Sequence, residues 1–292
     1  GLIILILAIA IFSLTLSKKD ADGTVRTGLQ GLWIYLYPDF SGLTVKRFLE
    51  ILLDAMSQLF FSLSVSMGIM VTYGSYVKDD VNLNKSINQI EIFDTAIALL
   101  AGMMVVPAVY IFSGEAGTQA SGAGLMFVTL PKVFGQMAAG RIIGVLFFAL
   151  VFFAALTSSV SVMEAIASMI MDRLGISRLK ACIGIIVFSV LLGIPCSLGN
   201  GVWAHVTILG MDFLTFCDFI SNSLLLPVVA FLTCILIGWF AKPDYVINEA
   251  TKNGETFKRE LIYRVMVKYI APVLLLIILV FYTLAQFGVI SY

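Results

Sequence analysis

Seven apolar segments organise this chain, at residues 1–17, 45–78, 89–114, 141–172, 180–198, 209–241 and 263–290. An α-helix needs roughly 20 such residues to cross about 30 Å of hydrocarbon. The pattern therefore predicts an all-α polytopic membrane protein. Composition agrees, since 60% of the 292 residues are hydrophobic, only 12% are charged, and the mean hydropathy is +1.02. Soluble domains carry roughly twice that charge fraction, and so few charges would not wet a soluble surface of this size. The balanced net charge offers no argument for a nucleic-acid partner. Cys182, Cys196, Cys217 and Cys234 all fall inside apolar segments and read as small hydrophobes, not as disulfides or metal ligands.

The first segment starts at Gly1 without an initiator Met or a charged flank, and no small-residue cleavage site follows it. It reads as a spanning helix cut partway along. Polar or charged stretches at 18–44, 78–88, 173–179, 199–208 and 242–262 read as loops. The connection 115–140 is long, and its run GLMFVTLPKVF suits a helix dipping back over an external vestibule. Basic residues set the orientation. Of the eighteen Lys and Arg, eleven lie near 78–88, 173–180 and 242–268 and seven near the opposite ends. The richer side is expected to face the cytoplasm, which puts the C-terminus outside.

Ionisable groups at membrane depth are costly and mark functional positions. Asp94, Glu164, Asp172, Asp212 and Asp218 all lie within or at the edge of apolar segments. Between 154 and 172, the residues Ala154, Thr157, Ser158, Ser161, Glu164, Ala165, Ser168 and Asp172 recur at steps of three and four. They form one small, polar stripe along a helix. Such a stripe serves either as a close-packing seam or, with two acids on it, as an ion-lined path.

Leu59 to Tyr76 reads LFFSLSVSMGIMVTYGSY. Its Ser62, Ser64, Ser66 and Gly68 fall on alternate positions, a period of two that no face of a continuous helix accommodates. An unwound stretch around 62–68 is expected instead. Non-helical backbone at membrane depth is tolerated only where it lines a cavity or meets a ligand. The half-helix before the break offers carbonyl oxygens to a cation, and the half-helix after it offers N–H groups to an anion. A zwitterionic amino acid together with sodium fits both ends.

These stretches carry a resemblance. LFFSLSVSMGIMVTYGSY and FFAALTSSVSVM, with YPDF at Tyr37–Phe40, DRLGISR at Asp172–Arg178 and MDF at Met211–Phe213, resemble the neurotransmitter:sodium symporter family in its bacterial amino-acid branch. The resemblance implies a LeuT-like inverted-repeat fold, present from its fifth to its eleventh helix. It also implies sodium-coupled symport of hydrophobic amino acids by alternating access, with the lipid bilayer and missing N-terminal helices of the same transporter as partners. It assigns the substrate site to Phe61, Ser62, Ser64, Met67, Ser158 and Val162. Two sodium sites (Na+) follow, the first with Ser62 and Asp94, the second with Ala154, Thr157 and Ser158. Asp212 matches an outer gate, and Tyr76 and Asp172 an inner one. A carboxylate at Asp94 implies chloride independence. No catalytic residue and no organic cofactor are expected. Glu164 and Asp218 depart from the family pattern. A cation channel and an intramembrane enzyme are the rival readings, and the lone His205 with no HExxH, GxSxG or P-loop leaves the enzyme little material.

Overall fold

The computed structural model describes residues 2–19, 23–118, 122–137, 139–199 and 201–286, and most of them are helical. Among the described residues, five helices are long and apolar enough to cross a membrane, namely Leu83–Gly114, Gly140–Leu174, Arg178–Gly199, Phe213–Phe240 and Glu260–Gln286. A shorter apolar helix, Ile3–Thr15, and a broken one, Val45–Ser62 followed by Ile69–Tyr76, answer to the other two segments. Residues 287–290 of the last predicted segment, and the C-terminus whose side was inferred from charge, lie outside the described residues. Large apolar side chains stand exposed along these helices; Ile183, Val187, Phe188, Val190 and Leu191 do so on one of them alone. Lipid tails cover such a face at no cost. The chain is a multi-pass membrane protein.

Two compact units are formed, one by Gly1–Thr44 with Ile90–Ser158 and the other by Val45–Gln89 with Ser159–Tyr292. In the first, Ile6, Ile9 and Ala10 pack with Met104, Ala108 and Val109 and with Leu130, Val133 and Phe134. The buried Ser13 hydroxyl donates to the Met104 carbonyl at 2.8 Å, so this polar side chain is satisfied. Pro107 sits inside the Leu83–Thr118 helix, and a Cβ added to Gly31 would stand 2.6 Å from its Cα. Only glycine permits that approach.

Residues 18–44 are more ordered than a loop. Ser17–Lys19 and Val25–Thr27 pair antiparallel, Ser17 opposite Thr27, and a helix spans Gly28–Leu36. The signal was a capping box: the Thr27 side chain accepts from the Gln30 N–H while the Thr27 N–H donates to Gln30 Oε1 at 2.9 Å. The connection 115–140 is likewise largely helical where described. Gly122–Gly124 leads into a π turn, Leu125–Thr129, and then the helix Leu130–Gln136. Leu130, Val133 and Phe134, at steps of three and one, give that helix its buried face.

In the second unit, Leu226, Pro227 and Ala230 are buried on one span and Pro272, Leu275 and Ile278 on the span packed against it. Gly238 lets the two helices close up, with Lys268 Cα 3.2 Å from where its Cβ would be. There the Trp239 indole donates to the Lys268 carbonyl at 3.2 Å, and the Lys268 ammonium lies 5.2 Å over its ring. An aromatic–cation pair of this kind belongs at a membrane–water interface. The stretch 242–262 contains a helix, Pro243–Thr251, which is followed by Lys252 bonded to Asp79 at 2.7 Å and Asn253 bonded to the Asp79 carbonyl.

Candidate functional site

The apolar helix Val45–Ser62 stops at Ser62, and Ile69–Tyr76 restarts the helix after Gly68. Between them Ser64, Ser66 and Gly68 take left-handed backbone conformations with φ of 53°, 66° and 79°. The alternation read in the sequence is thus an alternation of backbone hand. A non-glycine residue in that region costs about 1–2 kcal/mol, and strain of this order persists where the surroundings over-determine it. The break leaves two short bonds at the end of the first half, Ser64 N–H to the Phe61 carbonyl and Val65 N–H to the Phe60 carbonyl, each 3.0 Å. No side chain caps the second half at Gly68. The positive end of that helix's dipole therefore lies at the break.

Phe61, Ser62, Ser64 and Met67 all lie on this break. Phe61 and Ser62 are exposed, and Ser64 and Met67 are half-buried. Val162, in the same unit, stands exposed on the Gly140–Leu174 helix. The other unit holds Asp94, half-buried on the helix Leu83–Thr118, and the exposed Ala154, Thr157 and Ser158. Thr157 Oγ1 donates to the Ala154 carbonyl at 2.9 Å and to that of Phe153 at 3.1 Å. Two of the three oxygens expected at the second sodium site are therefore adjacent on one exposed helix face. They are hard, uncharged donors, the chemistry a monovalent alkali cation takes. Among the described residues no three His, Cys, Asp or Glu side chains gather as a metal centre.

The polar stripe continues below, now as a ladder. The Tyr73 hydroxyl lies 2.6 Å from Ser161 Oγ, and the Tyr76 hydroxyl donates to Glu164 Oε1 at 2.8 Å. Both helices advance by three residues between rungs, so the second half-helix runs parallel to the stripe. Glu164 takes its counter-charge from Arg178, the first residue of the next helix, which donates to Oε2. This answers the departure that the sequence left open: the acid is one corner of a Tyr–Glu–Arg cluster. Asp172, further down the stripe, is exposed beside Met169 and Arg173 in an open cavity at the helix end.

Asp212 caps the helix that follows it, accepting from the Leu214 and Thr215 N–H groups and from the Thr215 hydroxyl at 2.5 Å. Asp218 accepts from Asn222 Nδ2 at 2.6 Å where that helix widens into a π segment, Phe219–Leu225. Two acids of the broken helix escaped the sequence reading. Asp54 accepts from the Tyr282 hydroxyl at 2.6 Å, tying the first half-helix to the last span. Glu50 is buried, with Arg47 at 3.3 Å and Lys46 at 3.6 Å. Both were visible as ionisable residues inside an apolar run, the signal that had found the others.

Comparison with known proteins places this architecture. A solved structure, MhsT in complex with L-phenylalanine, superposes with a TM-score of 0.79 at 36% identity, over 96% of this chain and 60% of that one. The fold is accordingly LeuT-like. An uncharacterized sodium-dependent transporter of Haemophilus influenzae is 32% identical over 88% of this chain and 54% of its own length. A second uncharacterized sodium-dependent transporter, YhdH of Bacillus subtilis, is also 32% identical, over 92% of this chain and 57% of its own. The chain spans just over half the length of these curated relatives. The model of the sodium:neurotransmitter symporter family, a family of transporters and not of enzymes, matches residues 6–292, and the chain belongs to that family.

Proposed function

We propose that the chain forms the greater part of the binding site of a sodium-coupled, chloride-independent symporter for hydrophobic L-amino acids. The observation that carries the reading is the break at 62–68, where three left-handed residues interrupt a membrane helix between Phe61 and Ile69. An amino acid has an anionic end for the uncapped Ile69–Tyr76 helix and an apolar side chain for Phe61, Met67 and Val162. Ser62, Ser64 and Ser158 supply the remaining hydrogen bonds. Met67, a flexible thioether, suits a pocket that re-packs around aliphatic and aromatic side chains alike. That MhsT was solved with L-phenylalanine supports this substrate class.

Ser62 and Asp94 hold the first sodium in this proposal, and Ala154, Thr157 and Ser158 the second. The Asp94 carboxylate provides a negative charge beside the first ion, so no chloride is needed. Asp212 acts at the outer gate; Tyr76 and Asp172 act at the inner one. The N-terminal helices of the same transporter complete both sodium sites, and the C-terminus faces outward. The test is sodium-dependent binding of radiolabelled leucine and tryptophan to the intact transporter, comparing the parent with Met67→Phe and Asp94→Asn. Both ligands should bind only with sodium, Met67→Phe should shift the preference between them, and Asp94→Asn should weaken sodium or create a chloride requirement. Binding that ignores sodium and both substitutions refutes the proposal.

A further inference from the structure

The helix Arg178–Gly199 and the span that begins at Phe213 are consecutive and lead away from one turn. They pack together, and at the turn Gly199 lies against Phe213, where an added Cβ would stand 3.5 Å from Phe213 Cβ. Cys196 lies three residues before that contact and Cys217 four residues after it. At about 1.5 Å per residue the two Cα atoms are roughly 4.5 and 6 Å from the crossing along their axes, so they sit at nearly one level. Steps of three and four also return each residue to the face that makes the contact. The two thiols are near enough to share a hydrogen bond, neither is in a disulfide, both are half-buried, and the Asp212 carboxylate is a charged neighbour of Cys196. Cys182 lies fourteen residues from Cys196 on the same helix, about 21 Å along its axis, and has no such relation to either.

We propose that Cys196 and Cys217 are a dithiol that closes to a disulfide on exposure to a small-molecule disulfide, stapling the adjoining ends of these two helices beside Asp212. One protein thiolate attacks a sulfur of the small disulfide, forming a mixed disulfide and releasing one small thiol. The second protein thiolate displaces the other. Two protein thiols are oxidised, one small disulfide is reduced to two thiols that carry the protons, and the intramolecular bond closes a loop of modest length. No metal and no further oxidant take part. Its effect on transport rests on the function proposed above, in which Asp212 acts at the outer gate: a staple there hinders that gate.

The test treats the intact transporter in proteoliposomes with oxidised glutathione, then alkylates it after denaturation and maps the peptides. The expected result is a cross-linked 196–217 peptide two hydrogens lighter than the separate pair, while Cys182 and Cys234 remain open to alkylation. Cys196→Ser and Cys217→Ser should each lose the bridge and keep the remaining thiol as a stable glutathione adduct. Alkylation of both Cys196 and Cys217, adducts without a bridge in the parent, or a bridge to Cys182 or Cys234 would overturn the pairing. Sodium-driven uptake should fall several-fold on oxidation, recover with reductant, and be insensitive in both variants. A bridge that forms without changing uptake overturns the gating consequence. Uptake that is independent of sodium in the reduced protein counts against the proposed function instead.

Discussion

Replacing Gly68 with alanine isolates what the break costs. Gly68 has a φ of 79°, and a Cβ placed there would meet only Met169 Cε at 3.5 Å, an ordinary contact. No steric clash is introduced, so the penalty is that of the left-handed backbone, about 1–2 kcal/mol for a residue with a Cβ. Gly74, six residues on and inside the helix Ile69–Tyr76, is the internal control: its φ is not left-handed and an added Cβ meets nothing within 4 Å. There alanine should stabilise by about 0.5–1 kcal/mol, the difference between the two residues in a helix interior. The two substitutions, chemically the same and six residues apart, should therefore differ by roughly 1.5–3 kcal/mol, or about 10- to 150-fold in an unfolding equilibrium. Denaturant unfolding of the purified transporter in one detergent, without ligand, measures both. Equal effects, or a stabilising Gly68→Ala, would mean that 62–68 is continuous helix and that the site reading loses its foundation.

Three further outcomes follow from the same geometry. Asp212→Ala removes three hydrogen bonds from the start of the helix at Phe213 and should cost about 0.5–2 kcal/mol in the same unfolding assay, whereas Asp212→Asn retains most of it. Tyr76→Phe deletes the 2.8 Å bond to Glu164; with Tyr76 more than half exposed, about 1 kcal/mol remains of the value for a charged acceptor. A cysteine introduced by Ser168→Cys in a cysteine-free background should then be alkylated about fivefold faster, and an unchanged rate would show that the cluster holds nothing shut. The Lys252 ammonium holds the Asp79 carboxyl below its ordinary value of 3.8, so this contact stabilises fully above that pH and is lost as pH falls through the lower folded value. Hydrogen exchange over 249–254, corrected for intrinsic rates, should quicken only below about pH 4, and Asp79→Asn should abolish that dependence.

What the sequence made legible was whatever contradicts a local period. Three serines and a glycine at alternate positions do not fit a helix, and the backbone turns left-handed at Ser64, Ser66 and Gly68. The capping box at Thr27 and Gln30 was equally local, but the nine-residue helix that it opens is too short to stand out as a membrane span. What stayed hidden was pairing at a distance. Nothing near Glu164 in the chain announces Tyr76, 88 residues away, or Arg178, 14 residues on. Asp54 and Tyr282 are 228 residues apart.

The polar stripe shows why composition alone left two readings of it open. At its upper end, the Thr157 hydroxyl and the Ala154 carbonyl stand 2.9 Å apart on an exposed face, as an ion site requires. Lower down, Ala165 is only 1% exposed and Ser161 and Glu164 bond to tyrosines of the second half-helix, as a packing seam requires. A period of 3.6 puts both ends on one face whatever their roles. The choice between seam and path is made at each level by what stands opposite. Where small residues face the Ile69–Tyr76 helix they form a latch, and where their oxygens remain exposed they keep the donors a cation needs. The second half of the broken helix supplies the tyrosines of that latch, and in the function proposed above its unwound stretch supplies ligand-facing backbone. If the proposed function holds, moving that short half-helix changes the ligand-facing backbone and the latch together, the coupling that alternating access demands.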